Sequence, residues 1–132
     1  MQIDVIEPHQ VKAIWPYIRH HIDAAQRRGP TDMTADEIRG YCQSDESWRL
    51  LVLEETEAAA VIRIIDDRLH VVSLGGKLRK GWPPEFFDWL ASAAKYLELP
   101  VITLGGRKGW NRVLKPLGFV PIGNGYLGAQ IK

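Results

Sequence analysis

Cysteine is nearly missing from this chain: Cys42 stands alone among 132 residues, which excludes an intramolecular disulfide and any multi-cysteine metal site. Histidine is sparse as well. His20 and His21 adjoin but have no companion ligand cluster, so no metal is expected. No apolar run approaches the length of a membrane span. The opening Met1-Gln2-Ile3-Asp4 lacks the basic-then-apolar plan of a signal peptide. An excess of one charge is also absent. Seventeen basic residues against sixteen acidic ones give a formal net charge of +1, so the overall balance does not favour a general nucleic-acid binder. The expectation is a soluble, cytoplasmic chain without metal or membrane. Hydrophobic residues at 45% and charged residues at 25% match ordinary globular usage, and no linker or repeat interrupts residues 1–132, so one domain is expected.

What is present is a clear alternation of periods. Ile3-Asp4-Val5-Ile6 alternates as a short strand. Val11, Ile14, Trp15, Ile18, Ile22 and Ala25 then recur at helical spacing, with Pro16 inside the stripe. That proline predicts either a helix beginning near Trp15 or a kink. Thr34-Ala35-Asp36-Glu37 is a capping-box pattern opening a second helix, whose apolar face carries Ile38, Tyr41 and Cys42. Trp48–Leu53, Ala58–Ile65 and Leu69–Leu74 read as three strands joined by short polar turns, an antiparallel meander.

After the meander comes the basic, glycine-bearing loop from Gly75 to Trp82, with Pro83-Pro84 suited to the first turn of a helix. Phe86, Phe87, Leu90, Ala93, Ala94 and Leu97 give that helix a wide apolar face. Leu99-Pro100 ends it, and Val101–Leu104 reads as a buried strand expected to lie parallel to the strand before the helix. A glycine turn and short amphipathic helix follow, running from Gly105 to Leu117-Gly118-Phe119 and shortened by Pro116. Val120-Pro121-Ile122, Gly123-Asn124-Gly125 and Tyr126–Ile131 spell a closing hairpin. The fold class is α/β of the α+β type: a mixed, mostly antiparallel sheet of about six strands flanked by helices.

Strand, glycine turn, short helix and a final Leu117-Gly118-Phe119 resemble the last conserved unit of GNAT acyltransferases, and the element order of nearly the whole chain is similar to theirs. Gly106-Arg107-Lys108-Gly109-Trp110-Asn111-Arg112-Val113-Leu114 resembles, more narrowly, a GNAT-like family encoded by tailed bacteriophages and prophages. The early Trp15-Pro16 and Thr34-Ala35-Asp36-Glu37-Ile38 are similar to that family too. The resemblance implies an acyl-coenzyme A co-substrate, acetyl-CoA or another acyl-CoA. It would lie where two neighbouring strands part, its pyrophosphate on backbone N–H groups at the start of the next helix. Here that stretch assigns Gly75, Gly76, Lys77, Arg79, Lys80 and Gly81 to the cofactor. The family's loop pattern, anchored on Gly81, meets Leu78 at its first position and Pro83 at its last, and Pro83 and Pro84 remove two donors.

The resemblance implies transfer to an amine, on a protein, a small molecule or a modified base. That chemistry needs a neutral amine, an acid for the departing thiolate and donors for the oxyanion. The family's tyrosine acid falls on Leu114 and its asparagine on Arg107, so no catalytic residue is assigned. Tyr126 is a substitute acid, and His70 and Ser73 lie on the strand that carries the general base in this fold. Each has a plainer reading, as a packed ring or a sheet residue. Glu85 reads as a residue stabilising a helix dipole and Cys42 as a small buried hydrophobe. Trp15, Trp89 and Trp110 read as edge packing, whereas Trp82 reads as a loop aromatic lining a ligand groove or anchoring a partner.

The alternative implied by the phage resemblance is a non-catalytic scaffold binding phage structural proteins in a virion or its assembly. A base-modifying enzyme would instead show a basic stripe from Arg79, Lys80, Arg107, Lys108 and Arg112.

Overall fold

The computed structural model describes residues 1–29, 32–105 and 109–131. Strand β1 (Ile3–Ile6) leads through a 3-10 turn into helix α1 (Val11–Arg28), and α2 (Ala35–Ser44) follows. The meander is β2 (Trp48–Leu53), β3 (Ala58–Ile65) and β4 (Arg68–Gly76). Helix α3 (Trp82–Tyr96), strand β5 (Val101–Gly105) and the short helix α4 (Trp110–Leu114) come next, and the hairpin β6 (Val120–Gly123) and β7 (Tyr126–Gln130) closes the chain. Seven strands form one sheet in the order β1-β2-β3-β4-β5-β7-β6, one more than the six expected. Among the described residues β4 and β5 are the parallel pair, and the other neighbours are antiparallel.

Helix α1 begins at Val11, not near Trp15, and runs through Pro16. An internal proline costs a helix roughly 3 kcal/mol. Val11, Trp15, Ile18, Ile22 and Ala25 offset this, since each large apolar side chain fully buried contributes roughly 1.5–3 kcal/mol. The capping box of α2 forms as read: Glu37 N donates to Thr34 Oγ1 at 3.1 Å, and Thr34 N donates to Glu37 Oε1 at 3.1 Å. Trp15 packs as a fully buried core residue rather than at a helix edge, and Trp48 shares that core.

Helices cover both faces of the sheet. One core joins α1 and α2 to Trp48, Leu50, Val52, Ala59 and Val61. The other joins Phe86, Phe87, Leu90 and Ala94 of α3 to Leu51, Leu53, Ala60, Leu69, Val71, Ile102 and Leu104. The alternation along β2 and β3 is thus apolar on both sides, which explains why the meander reads as continuous hydrophobic runs. Small Ala58, Ala59 and Ala60 on β3 let helices seat closely on either face. The C-terminal end of α1 reaches the edge between β4 and β5, and the site lies there.

Candidate functional site

Strands β4 and β5 pair over only four positions, from Arg68↔Val101 to Val71↔Leu104. Beyond Val71, β4 continues along β3 to Gly76, whereas Gly105 of β5 pairs with Tyr126 of β7. The two strands therefore part after Val71 and Leu104. A bulge adds to the divergence: Ile62 pairs with Val71 and Val61 with Ser73, which leaves Val72 as an extra residue in β4. The resulting cleft is lined by Val72, Ser73, Gly105, Trp110 and the end of α1 at Gln26 and Gly29. Its volume, about 30 Å³, is that of a single water. Ser73 is 5% exposed and its hydroxyl has no hydrogen-bond partner among the described residues, so a buried polar atom on the cleft wall stands ready for one.

The six residues assigned to the cofactor follow directly from this cleft, and they divide. A Cβ on Gly75 would sit 2.2 Å from the His21 carbonyl oxygen, so glycine here admits α1 against the sheet. Gly76, at φ +114°, would bring a Cβ within 2.5 Å of Ala58 Cα. Lys77 is exposed and its N–H donates to the Glu57 carbonyl at 2.9 Å. Arg79 is engaged by Glu85 at 2.9 Å, and Glu85 also meets the N-terminal ammonium at 3.3 Å. The hydrogen bond from Arg79 holds the Glu85 carboxyl below its usual range, so Glu85 anchors the start of α3 rather than serving as a base. Lys80 and Gly81 are exposed at the tip.

Helix α3 starts one residue earlier than read, at Trp82, which is half-buried against Phe86, Phe87 and Trp110 rather than free in a loop. Pro83 and Pro84 fill its first turn, and Trp82 N already donates to the Arg79 carbonyl at 3.2 Å. The helix end thus offers few donors. Among the described residues, no backbone carbonyl accepts from the N–H groups of Leu78, Arg79, Lys80 or Gly81. Donors for an anion lie in the loop. Arg107 and Lys108, with the Gly106 of the phage-like motif, lie outside the described residues, so the basic stripe is not traced.

A second space opens on the α1/α2 side of the sheet. One cavity of about 210 Å³ is walled by Met33, Trp48, Arg63, His70 and Tyr126, and reaches Val72 and Gly105 at the mouth of the cleft. Its neighbour, about 260 Å³, adds Arg68, Thr103, Ile122 and Asn124 and shares His70 and Tyr126. His70 Nδ1 lies 2.7 Å from Thr103 Oγ1 across the β4–β5 pair, and its ring meets Tyr126 at a tilt, with centroids 5.6 Å apart. Burial, then the charges of Arg68 and Arg63, push the His70 imidazolium down to about 4. His70 is therefore neutral at pH 7 and too weakly basic to carry a proton from an ammonium.

The remaining candidates resolve by burial. Leu114 is 1% exposed within the α3 core and cannot present an acid. Cys42 is buried, and desolvation pushes its thiol up to about 12, which makes it inert. His21 Nε2 lies 2.9 Å from the Thr56 carbonyl, a structural bond between α1 and the β2–β3 turn. Sequence reasoning did not single out Arg63, Arg68 or Thr103. The only signal was their alternation with His70, which is legible once the strand register is known.

At the sequence level no family model and no curated protein matches this chain. Solved structures do. The chain is similar to Gcn5 of Tetrahymena, with a TM-score of 0.71 at 11% identity, covering 100% of this chain and 97% of that one. It is similar to the PaiA N-acetyltransferase of Thermoplasma acidophilum in complex with coenzyme A, with a TM-score of 0.62 at 10% identity, covering 98% and 99%. The ribosomal-protein-S18-alanine N-acetyltransferase of Escherichia coli gives a TM-score of 0.66 at 12% identity, covering 99% and 94%. These likenesses establish that the chain has the GNAT fold, as its sequence led one to expect.

Proposed function

We propose that this chain is an acyl-CoA-dependent N-acyltransferase of the phage type, using acetyl-CoA or another acyl-CoA. The observation that carries the reading is the parting of β4 and β5 beside the unpartnered Ser73 hydroxyl. A coenzyme A arm carries amides that give such a hydroxyl its partner, and so the residues fit the group. The free amides of Leu78 to Gly81, with Lys77 and Lys80, would hold the pyrophosphate. Gly75 and Gly76 would keep backbone close to it, and Arg79 adds charge across its pair with Glu85. When bound, the thioester supplies an acyl group that exchanges its C–S bond for a C–N bond, the thiolate taking a proton as it leaves.

The chain's own residues supply the rest. Tyr126 walls both acceptor-side cavities, one of which reaches Gly105, and pairs with Gly105 across β5 and β7, so its hydroxyl is the proton donor we assign. The positive field of Arg63 and Arg68, which already lowers His70, also favours the neutral form of an amine placed there. The amine then needs only water to take its proton.

The competing reading is a non-catalytic scaffold for phage structural proteins. Leu114 in the core and the narrowness of the cleft favour it. Thermal unfolding with acetyl-CoA separates the two, with ATP as the control for plain phosphate binding. At a hundred times its dissociation constant a ligand adds about 2.7 kcal/mol, a Tm rise on the order of 8 °C. A rise with coenzyme A compounds alone supports the transferase, and none at millimolar ligand supports the scaffold.

A further inference from the structure

Two guanidinium groups face the acceptor-side space without a counter-ion. Arg63 on β3 stands opposite His70, and Arg68 opens β4 on the same face. Neither forms an ion pair among the described residues, although Arg19, Arg27, Arg49 and Arg79 all do. The Nε atoms of Arg63 and Arg68 are both buried without a hydrogen-bond partner among the described residues. Arg63 is held from one side by the Trp48 ring, its Cζ 4.6 Å from the centroid, and that ring is stacked in turn on Tyr41. The indole attracts the guanidinium but supplies no oxygen acceptor for its Nε–H.

Three neighbouring polar groups give no counter-ion. His70 is neutral, and Tyr126 carries a phenol. Asp45 feels the charge of Arg63 but is occupied by Ser47, which donates to Oδ1 through its N–H at 2.9 Å and its hydroxyl at 2.7 Å. Buried Nε–H donors left open in this way are costly to a fold, and the planar guanidinium fork that carries them matches an oxyanion. The two arginines wall adjoining cavities that share His70 and Tyr126, one of which reaches Val72 and Gly105.

We propose that Arg63 and Arg68 form an oxyanion-binding site, and that the acceptor is an amine carrying a carboxylate or phosphate group. This rests on the transferase reading for the word acceptor, but the anion site stands on its own geometry. The oxyanion docks between the guanidinium groups, and the amine of the same molecule is thereby turned toward Val72 and Gly105. A neutral or dicationic amine lacks the group that the site is built for.

The test uses the full chain without coenzyme A. Inorganic phosphate and acetate are titrated separately at constant ionic strength, while NMR follows the His70 imidazole and the arginine Nε–H signals. Saturable shifts are expected for one or both ions, weakened at least tenfold in Arg63→Gln and in Arg68→Gln. Lys95→Gln, exposed on α3 across the sheet, should leave them unchanged. Arg63→Lys and Arg68→Lys keep the charge without the fork and should fall between, which separates anion binding from a damaged fold. The phosphate and acetate arms decide which oxyanion fits better. Shifts that stay linear, or that saturate equally in both glutamine variants, would overturn the site. Saturable, arginine-dependent binding in a chain whose Tm is indifferent to acetyl-CoA would keep the anion site and remove the transferase reading.

Discussion

His70 and Thr103 join β4 to β5 one position before these strands part, through a 2.7 Å contact between Nδ1 and Oγ1. The contact pins the closed end of the splay and holds His70 among Arg63, Arg68 and Tyr126. Its proton is bound near pH 6.5 in an unfolded chain but only near pH 4 in the folded one. Between those values the unfolded state holds more protons, so this residue's contribution to stability is full above about pH 6.5 and is lost as pH falls toward 4. Denaturant titrations across this window should show that loss in the wild type and a smaller one in His70→Gln. Equal slopes in the two proteins would place His70 outside this field.

Two glycines of the cofactor loop should respond to alanine differently. Gly75→Ala drives a methyl into the α1 backbone and should destabilise the fold by roughly 3 kcal/mol or more. Gly81→Ala meets no atom within 4 Å, so only its left-handed conformation at φ +86° is strained, at about 1–2 kcal/mol. Urea unfolding of both variants measures the difference. A milder effect at Gly75 than at Gly81 would mean that α1 sits further from β4.

Tyr126→Phe keeps the ring against His70 and removes only the hydroxyl. Under the transferase reading it should lower kcat by about 10²- to 10⁴-fold with little change in Tm. Leu114→Tyr, which restores the family's residue at its usual position, should not raise turnover. It forces a phenol into the α3 core and should cost roughly 1–3 kcal/mol. Kinetics with acetyl-CoA and a carboxylate-bearing amine would report both.

Much of the architecture was legible because local chemistry specified it. The Thr34–Glu37 capping box, the Pro83-Pro84 helix start, the Gly123-Asn124-Gly125 turn and the apolar strand before Gly105 each carried a physical signal. The sequence left α1 open between a start near Trp15 and a helix passing through Pro16, and tertiary burial of Trp15 and Ile18 decides for the second. Nor could sequence show that His70 and Ser73, three residues apart, pair with Arg63 and Val61 on one face. In a regular strand they would point to opposite faces, and the bulge at Val72 brings them to the same side. Gly75 and Gly76 carried a phosphate-loop signal, whereas their steric contacts come from α1 and β3, distant in sequence. The arginine pair depends on the same register and so emerged only from the fold.

The most direct test of the account is an amide NMR map of the full chain titrated with acetyl-CoA. The account predicts saturable shifts that trace the splay and its loop: Val72 to Gly76, Leu78 to Gly81, Gly105 and the Trp110 indole. Ser73→Ala should weaken binding while keeping that map. Unchanged spectra at millimolar acetyl-CoA, or shifts confined to another face of the sheet, would contradict a coenzyme A site between β4 and β5.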